Sequence, residues 1–314
     1  NVARQGLAGC GDINNALSFG GYTGGYVGTT EKWSGSSWAT TSVLSQFRGS
    51  LAGCGDINNA LSFGGYTDTY VGITEKWSGS SWAITSNLNV ARYGLAGCGN
   101  VTNALSFGGF TISGTHVNTT EKWSQTPTPI IITKRLSSLV IPIVNIKVST
   151  TTQDDNMQPG QRGTCQVSFD DGFTWSNFIN FGKMFTNFNG PLATTINTAW
   201  ATTSTLNVAR SALAGCGDVT NALSFGGNTD SYIDTTEKWS GSSWATTSNL
   251  NQVRGSLAGC GDVTNALSFG GTTGNYTSTT EKWSGSSWAT TSNLNVARGY
   301  LAGCGNVTNA LSFG

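Results

Sequence analysis

The chain has 314 residues, a formal net charge of zero and 10% charged residues, where an ordinary soluble protein has roughly 25%. Nothing in that balance supplies the basic stripe that nucleic acid requires, and no apolar run approaches the roughly 20 residues of a membrane helix, so neither nucleic acid nor membrane insertion is expected. Glycine is abundant at 43 residues but lacks collagen periodicity, and 11 Trp with 14 Phe describe a packed chain, long enough for one large all-β domain or two domains. The N-terminus does not read as a signal peptide.

In chain order, residues 1–44 contain four short predicted strands. Leu7–Gly11 is a run of small residues ending at the turn Gly11–Asn15. Ala16–Phe19 alternates with period two and stops at Gly20-Gly21. After a loop, Thr29–Trp33 reads as a third strand, Ser34–Ser37 as a Gly/Ser turn and Trp38–Thr41 as a fourth strand. The pattern then recurs every 44 residues: Cys10, Cys54 and Cys98 are so spaced, as are Cys216, Cys260 and Cys304. The interval from Cys98 to Cys216 exceeds one period by 74 residues, so one repeat carries an insertion. Units start at Asn1, Ser45, Asn89, Asn207, Asn251 and Asn295, and the sixth reaches Gly314 after its second strand.

Four antiparallel strands per 44 residues is the size of a propeller blade. The Ala/Gly/Cys strand suits the innermost position, where blades converge and large side chains would collide. Ten Trp in five pairs (Trp33 and Trp38 in the first) suit the wide outer region, each burying roughly 150–250 Å². The expected fold is therefore an all-β propeller of four-stranded antiparallel blades, six in number with seven as the alternative, plus a small β insertion. Strands missing from the last blade are expected from sequence outside this chain or from a partner, because an open edge is a liability. The six repeated cysteines read as small buried thiols rather than disulfides or a metal ring, which would need other spacing. No metal or cofactor is expected.

The run Phe19-Gly20-Gly21, then Glu31-Lys32-Trp33, then Trp38, with Asn1–Arg4 opening the unit, resembles the kelch repeat. The first aromatic is Trp where kelch usually has Tyr, and the period is short for kelch. The low-charge, nearly identical copies also resemble repeat arrays in bacteriophage tail-fibre and other virion proteins. Those resemblances imply a virion, extracellular or cell-surface setting.

The expected organisation is 1–124 (propeller, first part), 125–199 (inserted β-rich module) and 200–314 (the rest of the propeller, from the end of blade 3). Within the insertion, Ser168, Asp170, Gly172, Thr174 and Trp175 match every fixed position of the Asp-box, S-x-D-x-G-x-T-W. In families that carry it, the Asp-box is a β-hairpin turn whose polar side chains satisfy backbone groups while the Trp packs below. That resemblance implies a structural element, with a carbohydrate-linked module as the functional alternative.

Catalysis is not expected. The only histidine, His116, lies in a loop without a family motif. The repeated arginines (Arg4, Arg48, Arg92, Arg210, Arg254, Arg298) read as hydrogen-bonding groups at the inter-blade junction, and the Glu31-Lys32 pair and its copies as solvated or bonded within the blade.

The copies differ in two places: the loop after the double glycine, and the residue pair between the repeated Arg and the innermost strand. In an up-and-down blade both emerge at one end. All eight tyrosines (Tyr22, Tyr26, Tyr66, Tyr70, Tyr93, Tyr232, Tyr276 and Tyr300) fall in these segments. Loops are free to drift, but drift does not gather every Tyr at one end, and Tyr joins broad contact area to a polar tip. These tyrosines and His116 are the candidate ligand-binding residues. The expected function is a non-enzymatic adhesion component, such as a tail-fibre-like virion protein or a cell-surface protein. Its partners would be a glycan or protein receptor and the other subunits of its assembly. The alternatives are a purely structural decoration subunit and, behind it, a glycan hydrolase.

Overall fold

The computed structural model describes residues 2–127, 145–147, 164–168, 179–180 and 196–314. Two compact units result, one of Asn1–Ser124 with Thr198–Gly314 and one of Gln125–Asn197. In the second unit Asn145–Lys147, Thr164–Ser168 and Ile179–Asn180 pair in that order as an antiparallel three-stranded sheet. The Asp-box positions Asp170, Gly172, Thr174 and Trp175 and the side chain of Ser168 lie outside the described residues.

The first unit is an all-β propeller. In the first blade Ala8–Gly11, Ala16–Phe19, Thr29–Trp33 and Trp38–Val43 pair consecutively and antiparallel, with Ala8 opposite Phe19 and Ala16 opposite Trp33. Four further sheets repeat this order, one of them joining Thr120–Pro127 to Ile196–Thr202 across the insertion. The expected six or seven four-stranded blades are corrected here to five. The sixth repeat forms a sheet of two strands, Ala302–Gly305 and Ala310–Phe313, because its described sequence holds only the first half of the unit.

The innermost strands nevertheless close on themselves. Two residues ahead of each, at Gly6, Ser50, Gly94, Ala212, Ser256 and Tyr300, the backbone adopts left-handed φ between 51° and 60°. Each of these N–H groups donates to the carbonyl of its counterpart in the preceding repeat at 2.7–2.9 Å, and Gly6 donates to Tyr300 at 2.8 Å. The six bonds form an unbroken cycle. Four of its members are not glycine, a conformation that costs about 1–2 kcal/mol per residue, so the cycle must outweigh that strain.

Packing between blades explains the composition of the inner strand. A Cβ on Gly53 would overlap the ring of Phe19 from the preceding blade, and one on Gly9 would overlap Phe313 of the sixth repeat. Only glycine leaves room for that ring. Phe19 in turn meets Trp82 of the next blade at 4.8 Å between centroids, and Phe313 meets Trp38 at 4.9 Å. Farther out, Trp82 Nε1 donates to Thr30 Oγ1 of the preceding blade at 2.8 Å, as Trp200, Trp244 and Trp288 do to Thr74, Thr120 and Thr236. The first Trp of each pair is turned inward: Trp77 Nε1 donates to the Ile57 carbonyl of its own blade at 2.9 Å. Lys32 reaches across the junction, donating to the Gly79 carbonyl at 2.6 Å beside the Trp77 ring.

The repeated Arg and Glu are partners within the blade, which decides between the two readings of the Glu-Lys pair: the Glu is bonded inside its own blade and not solvated. Arg48 Nη1 lies 2.6 Å from Glu75 Oε1 with both side chains fully buried, and Nη2 donates to Ser62 Oγ at 2.8 Å. Arg4–Glu31, Arg92–Glu121, Arg210–Glu237 and Arg254–Glu281 repeat the pair. The carboxylate also accepts from the chain entering its blade, Ser45 N to Glu75 Oε2 at 2.6 Å. Meanwhile the Arg48 carbonyl accepts from Gly21 N of the preceding blade at 2.9 Å, so one residue ties two blades together. Burial lowers the Arg92 guanidinium to about 10, with the Glu121 charge opposing the shift, and the guanidinium stays charged at neutral pH.

Candidate recognition surface

The strand register fixes what lies at each end of the propeller. With Gly11 opposite Ala16 and Trp33 opposite Trp38, the turns Asp12–Asn15 and Ser34–Ser37 share one end. This end varies little: the first turn reads Asp-Ile-Asn-Asn, Asn-Val-Thr-Asn or Asp-Val-Thr-Asn, and the Ser34–Ser37 turn recurs unchanged in the four repeats that have it. Asp12 Oδ1 accepts from Asn14 N and Asn15 N at 2.7 and 2.8 Å, and Asp56, Asp218 and Asp262 repeat the arrangement. Its turns are saturated by their own side chains.

The other end gathers both variable segments, and the backbone joins them. Gln5 and Tyr22 exchange N–H···O bonds, as do Gly49 with Tyr66, Ser211 with Asn228 and Gly255 with Thr272, all at 2.8–3.1 Å. Each loop then folds back tightly, bridging Tyr22 to Tyr26, Tyr66 to Tyr70, Phe110 to His116, Asn228 to Tyr232 and Thr272 to Tyr276. The frame is constant while its side chains change from blade to blade.

All eight tyrosines lie at this end, but not as an even ring. On the first three blades the rings run Tyr22–Tyr26–Tyr66–Tyr70–Tyr93–Phe110–His116, with successive centroids 4.9–5.9 Å apart, mostly edge-on or tilted. Tyr66 also touches Tyr93 at 5.4 Å. The later blades hold a separate pair, Tyr276 and Tyr300 at 6.5 Å, while Tyr232 packs on Gly255. Phe110 is the member of the band that sequence reading missed; it occupies the place that Tyr22 and Tyr66 hold in the preceding loops, and that position was the signal.

The band is partly desolvated. Burial raises the Tyr26 and Tyr93 hydroxyls above the ordinary tyrosine value, and neighbouring tyrosines add to both shifts, Tyr300 among them at Tyr93. Burial likewise lowers His116, with Asp230 opposing, so its imidazole is neutral at pH 7, and its Nδ1 has no hydrogen-bond partner. The result is an uncharged aromatic strip with hydroxyl tips. It can cover an apolar or ring-shaped surface and hydrogen-bond at its margins.

The six inner strands line a channel of about 150 Å³ walled by Gly-Cys-Gly from each repeat. All six of these thiols are free and buried, and burial pushes Cys54, Cys260 and Cys304 up to about 12 and the other three well above the ordinary range. They are inert groups at neutral pH. Among the described residues no three His, Cys, Asp or Glu side chains converge as ligands for a metal ion, and no helix is long and apolar enough to cross a membrane.

Comparison with protein-family models finds none that matches the chain, and comparison with curated proteins finds no match either. The fold and the arrangement of its side chains define a β-propeller of repeated four-stranded blades.

Proposed function

We propose that this is a kelch-like, non-enzymatic adhesion protein whose variable end recognises a glycan or protein receptor, on a virion as a tail-fibre-like component or at a cell surface. The observation that carries the reading is the continuous aromatic band from Tyr22 to His116 on an otherwise repetitive scaffold. A recognition surface gains from rigid rings with polar tips, because few rotamers are lost on contact. The C–H faces of a sugar ring match such a strip in shape and polarity. The constant end, saturated by its own turns, offers no comparable variety. The repeated glutamates, which a hydrolase would have to expose, are instead committed to arginines in the blade interior.

A glycan array, followed by a panel of cell-surface proteins, tests the reading with the folded chain and with Tyr66→Ala/Tyr93→Ala. Binding that falls at least tenfold in the double variant and persists in Tyr232→Ala supports it. A folded chain that retains nothing on either panel overturns it, as does binding indifferent to the band. The architectural alternative, a subunit contacting only its assembly neighbours, would show as the variable end packed against another subunit.

A further inference from the structure

Charge is divided unevenly between the two ends of the propeller. In that unit every basic side chain is either the repeated Arg or the repeated Lys. Arg48 and its copies turn inward onto Ser62 Oγ and its counterparts. Lys32 sits next to the Trp33–Trp38 pair that closes a constant-end turn, and it donates to Gly79 in the matching turn of the next blade. Its copies keep the register, Lys76 opposite Leu61 and Lys238 opposite Leu223 as Lys32 is opposite Leu17. The variable segments contain no Lys or Arg, but they contain three carboxylates, Asp68, Asp230 and Asp234.

Two of those carboxylates belong to the aromatic band. Asp234 is held by Asn249 Nδ2 at 3.1 Å. Asp68 and Asp230 are instead exposed at the apices of their loops, between the bridged pairs Tyr66–Tyr70 and Asn228–Tyr232. Each apex is a tight turn, with Thr67 N donating to the Thr69 carbonyl at 3.0 Å and Thr229 N to that of Ser231 at 3.1 Å. The Asp68 charge acts on Tyr26, and the Asp230 charge acts on His116 from the next blade. One carboxylate therefore serves the middle of the band and the other its far end. A ligand carrying its own carboxylate, sulfate or phosphate would meet these like charges over half-buried rings, with no cation at that end to receive it. A ligand carrying only hydroxyls meets acceptors, since a carboxylate takes two or more O–H donors.

We propose that the band selects neutral glycans and rejects acidic ones, with Asp68 and Asp230 as the residues that set this specificity; the inference rests on the reading of this end as a recognition surface. The sugar C–H faces lie on the tyrosine rings, and the sugar hydroxyls donate to the two carboxylates at the margin. The margin suits hydroxyl partners further, because Thr67 and Thr69 flank Asp68 while Thr229 and Ser231 flank Asp230. A protein partner would ask for the opposite arrangement, an apolar centre from which charge is depleted. Binding then makes no ion pair, so it is insensitive to salt.

The test is a glycan array of matched neutral and acidic members, the latter sialylated, sulfated or uronate-containing, run beside a panel of cell-surface proteins. It is probed with the chain, with Asp68→Asn/Asp230→Asn and with Tyr66→Ala/Tyr93→Ala. The chain is expected to prefer neutral members over their acidic counterparts by about tenfold at low salt, and the Asn variant to lose most of that preference while unfolding at the same temperature. Affinity for the best neutral member is expected to change less than about twofold between roughly 50 and 500 mM salt. Binding of acidic members that disappears in Tyr66→Ala/Tyr93→Ala overturns the charge inference and leaves the adhesion reading standing, as does binding to proteins alone. An undiminished preference in the Asn variant overturns the role of Asp68 and Asp230. A folded chain that binds neither glycans nor proteins overturns both.

Discussion

The junction between the fourth and fifth repeats and the one between the fifth and sixth are written in nearly the same residues, yet they differ in their outer halves. In the first, Arg254 meets Glu281 at 2.9 Å, and Trp288 donates to Thr236 at 3.0 Å. In the second, the Arg298 guanidinium donates to Ser312 and meets no carboxylate among the described residues, and the buried Thr280 hydroxyl has no hydrogen-bond partner among them. Nearer the channel the two are alike: Gly259 receives the ring of Phe225 as Gly303 receives that of Phe269. The difference teaches how this repeat divides its work. Inner strands close the wheel by shape and backbone bonding, while the outer strands of each blade supply the Glu for that blade's own Arg and the indole that bonds the buried Thr of the blade before it.

Substitution can break that comparison at several strengths. The largest expected effect is at the arginines. Arg254→Met strands a buried Glu281 and costs about 3–5 kcal/mol, whereas Arg298→Met costs under about 1 kcal/mol, read as the shift in urea unfolding. Next come the inner glycines, where the junctions should agree: Gly259→Ala and Gly303→Ala each force a methyl into a Phe ring and cost about 1–3 kcal/mol. Unequal costs there would contradict the claim that the inner halves match. Thr236→Val removes the acceptor of Trp288 Nε1 and costs about 1–2 kcal/mol, while Thr280→Val removes an unsatisfied hydroxyl and is neutral or slightly stabilising in the same assay.

The gentlest probe is alkaline pH, read through the thiols of the inner strands. The folded thiols are raised to about 12 at Cys54, Cys260 and Cys304, against an ordinary value of 9.0. Above pH 9 the unfolded chain has lost these protons and the folded chain keeps them. Stability is therefore complete below pH 9 and declines as pH rises toward 12. Cys54→Ala/Cys260→Ala should flatten that decline in unfolding curves taken between pH 8 and 10.5.

Much of the wheel was legible because repetition states the blade four strands at a time, and the Ala16–Phe19 and Thr29–Trp33 boundaries in the first blade agree with the sequence reading. The number of complete blades was misjudged by counting starts, since the sixth start supplies only two strands. The Arg–Glu pairs were hidden by a separation of 27 residues, as in Arg48–Glu75 and Arg210–Glu237, though both partners recur in every full repeat. The hydrogen-bonded cycle was hidden further, because Ser50, Ala212, Ser256 and Tyr300 stand where left-handed φ normally selects glycine. Gly6 and Gly94 were the visible trace. At the variable end, the sequence placed every tyrosine in the loops that the structure joins, but the split between a band on the first three blades and a separate pair depends on which loops become neighbours in space.

Closure of the wheel is tested most directly by amide hydrogen exchange at Gly6, whose N–H reaches across the ring to Tyr300. Protection at Gly6 comparable to that at Ser50 and Ser256 is expected. Exchange at the rate of a free amide at Gly6, with Ser50 and Ser256 still protected, would mean that the repeats do not close on themselves.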